Sequence, residues 1–319
     1  MDKRNWLWIG VIVVLIANGL LLVRNNKDLP EREPEIVDGR TEIDQPDDIN
    51  PRILNIVPDR ELTFEEVNKW VDKWHKAAPE ITEVGVVGQH KEHDIKYIRV
   101  GNKTGPKVLI IATIHGNEKL CTMTMLGVFG KMLDAYGEDA KVTKLLQERD
   151  IYFVPIVSPE GFINNSRHVM GLDPNRNFNG PRLSRKDSIP CVNALKKFHQ
   201  KHHFNAVMSC HDYGRIYFYP WGYVNKPTQI DSEYKQLLAQ MARLNGYQVD
   251  QIYHHSAPPY YGYEVDWFYR HGAVTIVNEI GTRFEARKAE IDKEVQDNFR
   301  STLLFIEKAP LIKVGRLGK

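Results

Sequence analysis

Cysteine is scarce in this 319-residue chain, and its scarcity excludes two kinds of protein. Only Cys121, Cys191 and Cys210 are present, an odd number with no CxxC spacing. Neither a disulfide framework nor a cysteine-built zinc site fits that pattern. An excess of one charge is also lacking: Lys+Arg 43 stand against Asp+Glu 41, a formal net charge of +2. A polyanion partner calls for a strong basic field, and only short clusters such as "KKFHQKHH" (196–203) occur, which read as solvated helix faces. No nucleic-acid partner is expected. Internal repeats are absent as well. The length suffices for one large domain with a sizeable core.

What is present begins at the N-terminus. Residues 6–23, "WLWIGVIVVLIANGLLLV", carry no charge, follow a short flank (1–5) with Lys3 and Arg4, and precede Arg24 and Lys27. A core helix of that length would show a polar face, and this run shows none. A cleaved signal peptide is the alternative, but no clear small-x-small cleavage site follows. The favoured reading is an uncleaved single-span membrane anchor with the following domain exported, periplasmic or extracellular. Residues 24–59 are polar, rich in Glu, Asp and Pro, without either hydrophobic period, and read as a tether. An arm packed on the domain is the alternative for "RILNIVP".

From residue 60 to 319 the pattern is that of one folded domain. "TFEE" is a capping box, with Thr63 at the N-cap and Glu66 three residues on. Val67, Trp70, Val71 and Trp74 then share a helical face that Pro79 ends. "EVGVVG" and "IKYIRVG" read as strands joined by "QHKEHD" as the turn, and "KVLIIATI" as a central strand covered on both faces. Further strands are predicted at "DIYFVPIV", "FNAVMSC" and "GAVTIVNEI". Helices are predicted at "KLCTMTMLGVFGKMLDAYG", "SIPCVNALKKFHQKH", "SEYKQLLAQMARLNG" (Gly246 as C-cap) and "AEIDKEVQDNFRSTLLFIEKA". Such alternation implies an α/β sandwich on a mixed sheet.

In sheets of this kind ligands gather outside the carboxyl ends of the strands. His115, His211 and Glu279 all fall there. A catalytic zinc takes three N/O ligands and keeps an open position. His115 and Glu118 offer two from one short loop, and His211 offers a third after an apolar strand. Glu279 is a carboxylate placed to take a proton from an attacking water. In "GLDPNRNFNG", Asn175 and Arg176 suit a two-point grip on a carboxylate, and Arg167 upstream suits an oxyanion. Each also has an ordinary reading, as a solvated loop or a strand-end surface charge. Cys210, beside His211, reads as a buried bystander.

The ordered set "HGNE", "SPEG", "GLDPNRNF", "HDY…YPWGY", "IY…VDWFY" and "NEIGT" resembles the zinc metallocarboxypeptidase family typified by pancreatic carboxypeptidase A, from about Leu62 to Phe305. The resemblance implies an α/β/α sandwich with a central mixed, mostly parallel sheet, one Zn2+ per chain, and hydrolysis of the C-terminal peptide bond of peptides with a free carboxylate. It implies His115, Glu118 and His211 as ligands, Glu279 as general base, Arg167 on the scissile carbonyl, and Asn175 and Arg176 on the terminal carboxylate. Tyr253 matches the family's mobile tyrosine and Tyr213 a tyrosine of the cleft. "SPEG" departs from the family's usual Asn-Pro-Asp-Gly. Val265, the residue before "DW", matches the reader of the terminal side chain, and with Phe218 and the uncharged Gly222 position it implies an apolar pocket. A one-residue shift would put Glu264 there to read a basic side chain instead. Competing functions are an aspartoacylase-like N-acyl amino-acid deacylase, which shares "HGNE", a cell-wall stem-peptide peptidase, and an inactive peptide-binding relative.

Overall fold

Thr63 caps the first helix as its sequence requires. In the computed structural model, which describes residues 57–178, 189–255 and 261–315, its Oγ1 accepts from the Glu66 N–H and Glu66 Oε2 accepts from the Thr63 N–H. That helix, α1 (Phe64–Ala77), buries Phe64, Val67, Val71 and Trp74. Trp70 is partly buried against the same core. The expected anchor (6–23) and nearly all of the tether lie outside the described residues. The tether's last residues, Val57 and Pro58, pack onto the domain, half-buried and buried. No described helix is long and apolar enough to cross a membrane.

The remaining elements are β1 (Thr82–His90), β2 (His93–Gly101), β3 (Lys107–Ala112), α2 (Lys119–Asp134), α3 (Ala140–Glu148), β4 (Asp150–Val154), α4 (Pro159–Ile163), α5 (Pro190–His202), β5 (Ala206–Asp212), β6 (Ile216–Tyr219), α6 (Asp231–Asn245), β7 (Gln248–Gln251), α7 (Glu264–Arg270), β8 (Val274–Ile280) and α8 (Lys288–Lys308), with short 3-10 turns between some of them. The hairpin corrects one expectation. "QHKEHD" is mostly strand: His90 pairs with His93 and Gln89 donates to Asp94, so the turn is only Lys91 and Glu92, with Lys91 at φ 55°. Cross-strand pairing accommodates these polar side chains, of which His90 is buried and Gln89 exposed.

One sheet runs in the order β1-β2-β4-β3-β5-β8-β6-β7. β4, β3, β5 and β8 are mutually parallel. β2 meets β4, and β6 meets β8, antiparallel. The sheet is therefore mixed around a parallel centre. Alternation along β3 divides the core. Val108, Ile110 and Ala112 face a cluster with α1, α2, α6 and α8, while Leu109 and Ile111 face one with α5 and α7. Helices on both faces explain why β3 is apolar without alternation. After β3 the chain goes to β4 on one side and then to β5 on the other. The crevice at the carboxyl ends of β3 and β5 is the topological switch point where such sheets bind ligands.

Candidate metal centre and active site

β3 ends at Ala112, and Thr113 turns the chain with φ 51°. His115 then sits where the backbone of Gly116 lies against that of Gly161: a Cβ on Gly116 would stand 1.8 Å from the Gly161 carbonyl carbon. Glycine is needed there for close backbone approach, not for a tight turn. Glu118 immediately precedes α2, whose Leu120 N–H donates to Asp212 Oδ2 at 2.8 Å. From the other side, the parallel register of β5 and β8 sets His211 directly beside Glu279.

These placements bring three candidate ligands together. His115 Nδ1 lies 2.6 Å from Glu118 Oε1, and His211 Nδ1 lies 2.7 Å from Glu118 Oε2. One donor atom from each of His115, Glu118 and His211 falls within 4.8 Å of the others, and all three residues are buried. Two imidazoles and a carboxylate are the donor set of a catalytic zinc. Each imidazole is also held at its far nitrogen: His115 Nε2 lies 3.0 Å from Asp173 Oδ1, and His211 Nε2 lies 2.9 Å from Glu264 Oε1. A carboxylate behind a ligating histidine fixes its tautomer and ring orientation. By donor chemistry, burial and support, the residues fit zinc.

The electrostatics follow from crowding. Burial opposes the charge of Glu118, but the fields and hydrogen bonds of His115 and His211 prevail and hold its pKa down to about 2. Burial likewise opposes the imidazolium forms, and the Glu118 carboxylate overcomes it, raising both histidines above 6.5. Glu279 goes the other way: burial, against the pull of His211, pushes it up to about 7. Asp212 is raised well above its ordinary value by burial and by the carboxylates of Glu118 and Glu279.

A cavity of about 330 Å³ opens over this cluster. His115, Glu118, His211, Glu279, Arg167, Asn175, Arg176 and Tyr213 all line it. Arg167 donates from Nη1 to Glu118 Oε1 at 3.3 Å and from Nη2 to Asp173 Oδ2 at 2.9 Å. Arg176 stacks 4.1 Å over the Tyr263 ring, and its Nη1 donates to the Asn175 carbonyl at 2.8 Å. Tyr213 is 48% exposed and meets Phe284 edge-on at the rim.

Two predicted residues are placed elsewhere. Val265 is fully buried and does not line the cavity; it packs behind the wall with Ile216, Phe218, Ile252, Tyr263 and Val277. The helix α7 that carries it points that side chain into the core. Tyr253 is also not on the wall, because its 3-10 turn presents Ile252 and His255 instead. Nor is Glu264 a reader of side chains, since it is spent on His211. The supports Asp173 and Glu264 were not legible in the sequence. Asp173 lies inside "GLDPNRNF", but nothing local marks its contact with His115. His90, at the end of β1, is buried, 2.8 Å from Glu160 of "SPEG". A larger groove of about 960 Å³ between α3 and the end of α8 contains two glutamates and no histidine, so it lacks this donor set.

A His–Glu–His cluster at the carboxyl ends of parallel strands thus shares one cavity with a buried glutamate and two arginines, and it carries the donor set of a catalytic zinc. The zinc carboxypeptidase family model matches residues 67–301, and the chain belongs to that family of one-zinc metallocarboxypeptidases. Among curated relatives, it is 26% identical to mouse carboxypeptidase A4 over 187 residues (48% of this chain, 44% of the relative). It is 26% identical to human carboxypeptidase A1 over 209 residues (55% and 50%). The chain thus spans about half the length of the curated relatives it matches. The fold matches thrombin-activatable fibrinolysis inhibitor with a TM-score of 0.73 at 17% identity, covering 79% of this chain and 75% of that one. Carboxypeptidase A from Helicoverpa armigera matches with 0.67 at 18% identity (79% and 74%).

Proposed function

We propose that this chain is a membrane-anchored carboxypeptidase that removes the C-terminal residue of exported or extracellular peptides. The observation that carries the reading is the convergence of the His115–Glu118–His211 cluster, Glu279 and three cationic or amide groups, Arg167, Asn175 and Arg176, on one cavity. His115, Glu118 and His211 would hold one zinc. When bound, zinc supplies Lewis acidity toward the scissile carbonyl and an attacking water. Asn175 and Arg176 hold the substrate's terminal carboxylate, the guanidinium contributing the two-point geometry a carboxylate matches. Arg167 offers N–H donors where the carbonyl oxygen gains charge. Glu279 takes the proton of the attacking water and delivers it to the leaving amine nitrogen. The apolar wall of Phe218, Ile252, Tyr263 and Val277 supports preference for an apolar terminal side chain. Residues 6–23 supply the membrane anchor, with the catalytic domain periplasmic or extracellular, and protease accessibility in intact cells tests that orientation.

The activity is tested by incubating the zinc-loaded full chain with a mixed peptide library, the same peptides C-terminally amidated, and N-acyl amino acids. Mass spectrometry reads what is released. Single C-terminal residues, predominantly apolar, from the free-carboxylate peptides alone are the expected result. Hydrolysis confined to acyl amino acids would replace the reading with deacylation, and no turnover despite bound zinc would replace it with peptide binding.

A further inference from the structure

We propose that Glu264 is a positioning residue of the metal centre, holding His211 through its side chain and Asn175 through its backbone. The inference rests on the reading of His211 as a ligand. Glu264 opens α7 and is fully buried, behind the cavity wall and not on it. Its Oε1 lies 2.9 Å from His211 Nε2, and its N–H donates to Asn175 Oδ1 at 3.0 Å. Among the described residues, Oε2 has no hydrogen-bond partner.

A sealed carboxylate is costly unless it is used on a specific partner. Among the described residues, the imidazole of His211 is the side chain that its carboxylate meets. His211 has two distinct nitrogens, and Nδ1 is the one turned to Glu118 in the ligand cluster. An acceptor at Nε2 keeps the ring proton on that nitrogen and leaves the Nδ1 lone pair for a metal. Asp173 meets His115 in the same manner, but it is partly exposed and also engages Arg167. Among the described residues the Glu264 carboxylate meets His211 alone, and it is fully buried. Through Asn175, the same residue ties the orientation of a metal ligand to that of a group on the substrate cavity.

The test measures zinc affinity of the full chain by competition with a chromogenic chelator, together with the melting temperature of each metal-free protein. Glu264→Leu is expected to weaken zinc binding about 10- to 100-fold. Glu264→Gln, whose amide oxygen still accepts from Nε2–H, is expected to recover most of that loss without raising or lowering the metal-free melting temperature by more than about 2 °C. If the Leu variant does not fold, Glu264→Asp, which draws the carboxylate back by one methylene, takes its place with the same expected loss. Wild-type zinc affinity in the folded Leu or Asp variant would overturn the proposal. Equal losses in Gln and Leu would also overturn it, since they would show packing alone. His211→Ala separates the two readings: loss of zinc there with none at Glu264 rejects only the positioning role, whereas retained zinc in His211→Ala rejects the ligand reading itself.

Discussion

Two of the places where this domain buries charge are built differently. Beneath α6 and α8, Arg215 pairs with Glu294 and, at 2.8 Å, with Asp297, while its guanidinium lies over the Tyr247 ring at 4.6 Å. Glu294 also accepts from the Tyr247 hydroxyl and from Asn298. Every carboxylate oxygen of Glu294 thus has a donor within the protein. At the strand ends, by contrast, Glu118, Asp212, Glu264 and Glu279 crowd around two imidazoles. There, among the described residues, Asp212 Oδ1 and Glu264 Oε2 are buried without a partner. A cluster that satisfies itself holds elements together. One that keeps surplus acceptors beside a cavity is of the kind tolerated where chemistry needs it, and buried, perturbed carboxylates of that kind gather at functional sites.

Four predictions bear on that contrast, beginning with the largest. Glu279→Gln is expected to lower kcat/KM about 10³-fold, roughly 4 kcal/mol, with zinc affinity unchanged. Steady-state kinetics beside a metal titration check it, and a small loss would move the general-base role elsewhere. Glu294→Ala should cost about 3 kcal/mol in denaturant unfolding by removing one of the two carboxylates on Arg215 and the acceptor of the Tyr247 hydroxyl, while leaving zinc affinity alone. A change in metal binding there would erase the distinction between the clusters. Arg176→Ala should lower kcat/KM on free-carboxylate peptides by about 10- to 100-fold. Amidated peptides, lacking the carboxylate, should show no such drop, and equal effects on both would remove Arg176 from the carboxylate grip.

The smallest effect is on pH. Burial opposes the charge of Asp297, yet hydrogen bonds from Lys293 and Arg215 outweigh it and lower its pKa below the ordinary 3.8. Its folded form therefore binds fewer protons than its unfolded form in acid. The resulting stability is complete above that ordinary value and is lost as pH falls below it. Asp297→Asn should flatten the acid side of the stability curve in urea titrations, and an unchanged slope would show that the pair contributes nothing.

The strand-end cluster is legible in the sequence because the apolar runs of β3 and β5 each give way to a histidine, His115 and His211. The α1 capping box is equally plain, since its signal lies within four residues. β6 and β7 were not anticipated. Each has only four residues, too few to display a period, and both exist by pairing with distant chain. α3 and α4 were missed for the same shortness. The supports of the ligands were hidden for another reason. Asp173 and Glu264 reach His115 and His211 across long sequence separations, and no local pattern records a contact of that kind. α7, only seven residues long, was not anticipated either, and without it nothing in the sequence shows that Val265 faces the core.

The most direct test of the strand-end metal centre is a crystal structure of the zinc-loaded full chain with anomalous data at the zinc absorption edge. A single anomalous peak bounded by His115 Nδ1, Glu118 and His211 Nδ1, facing Glu279 across the cavity, is the predicted result. Stoichiometric zinc with its peak at any other group of residues would contradict the assignment of this strand-end cluster as the catalytic centre.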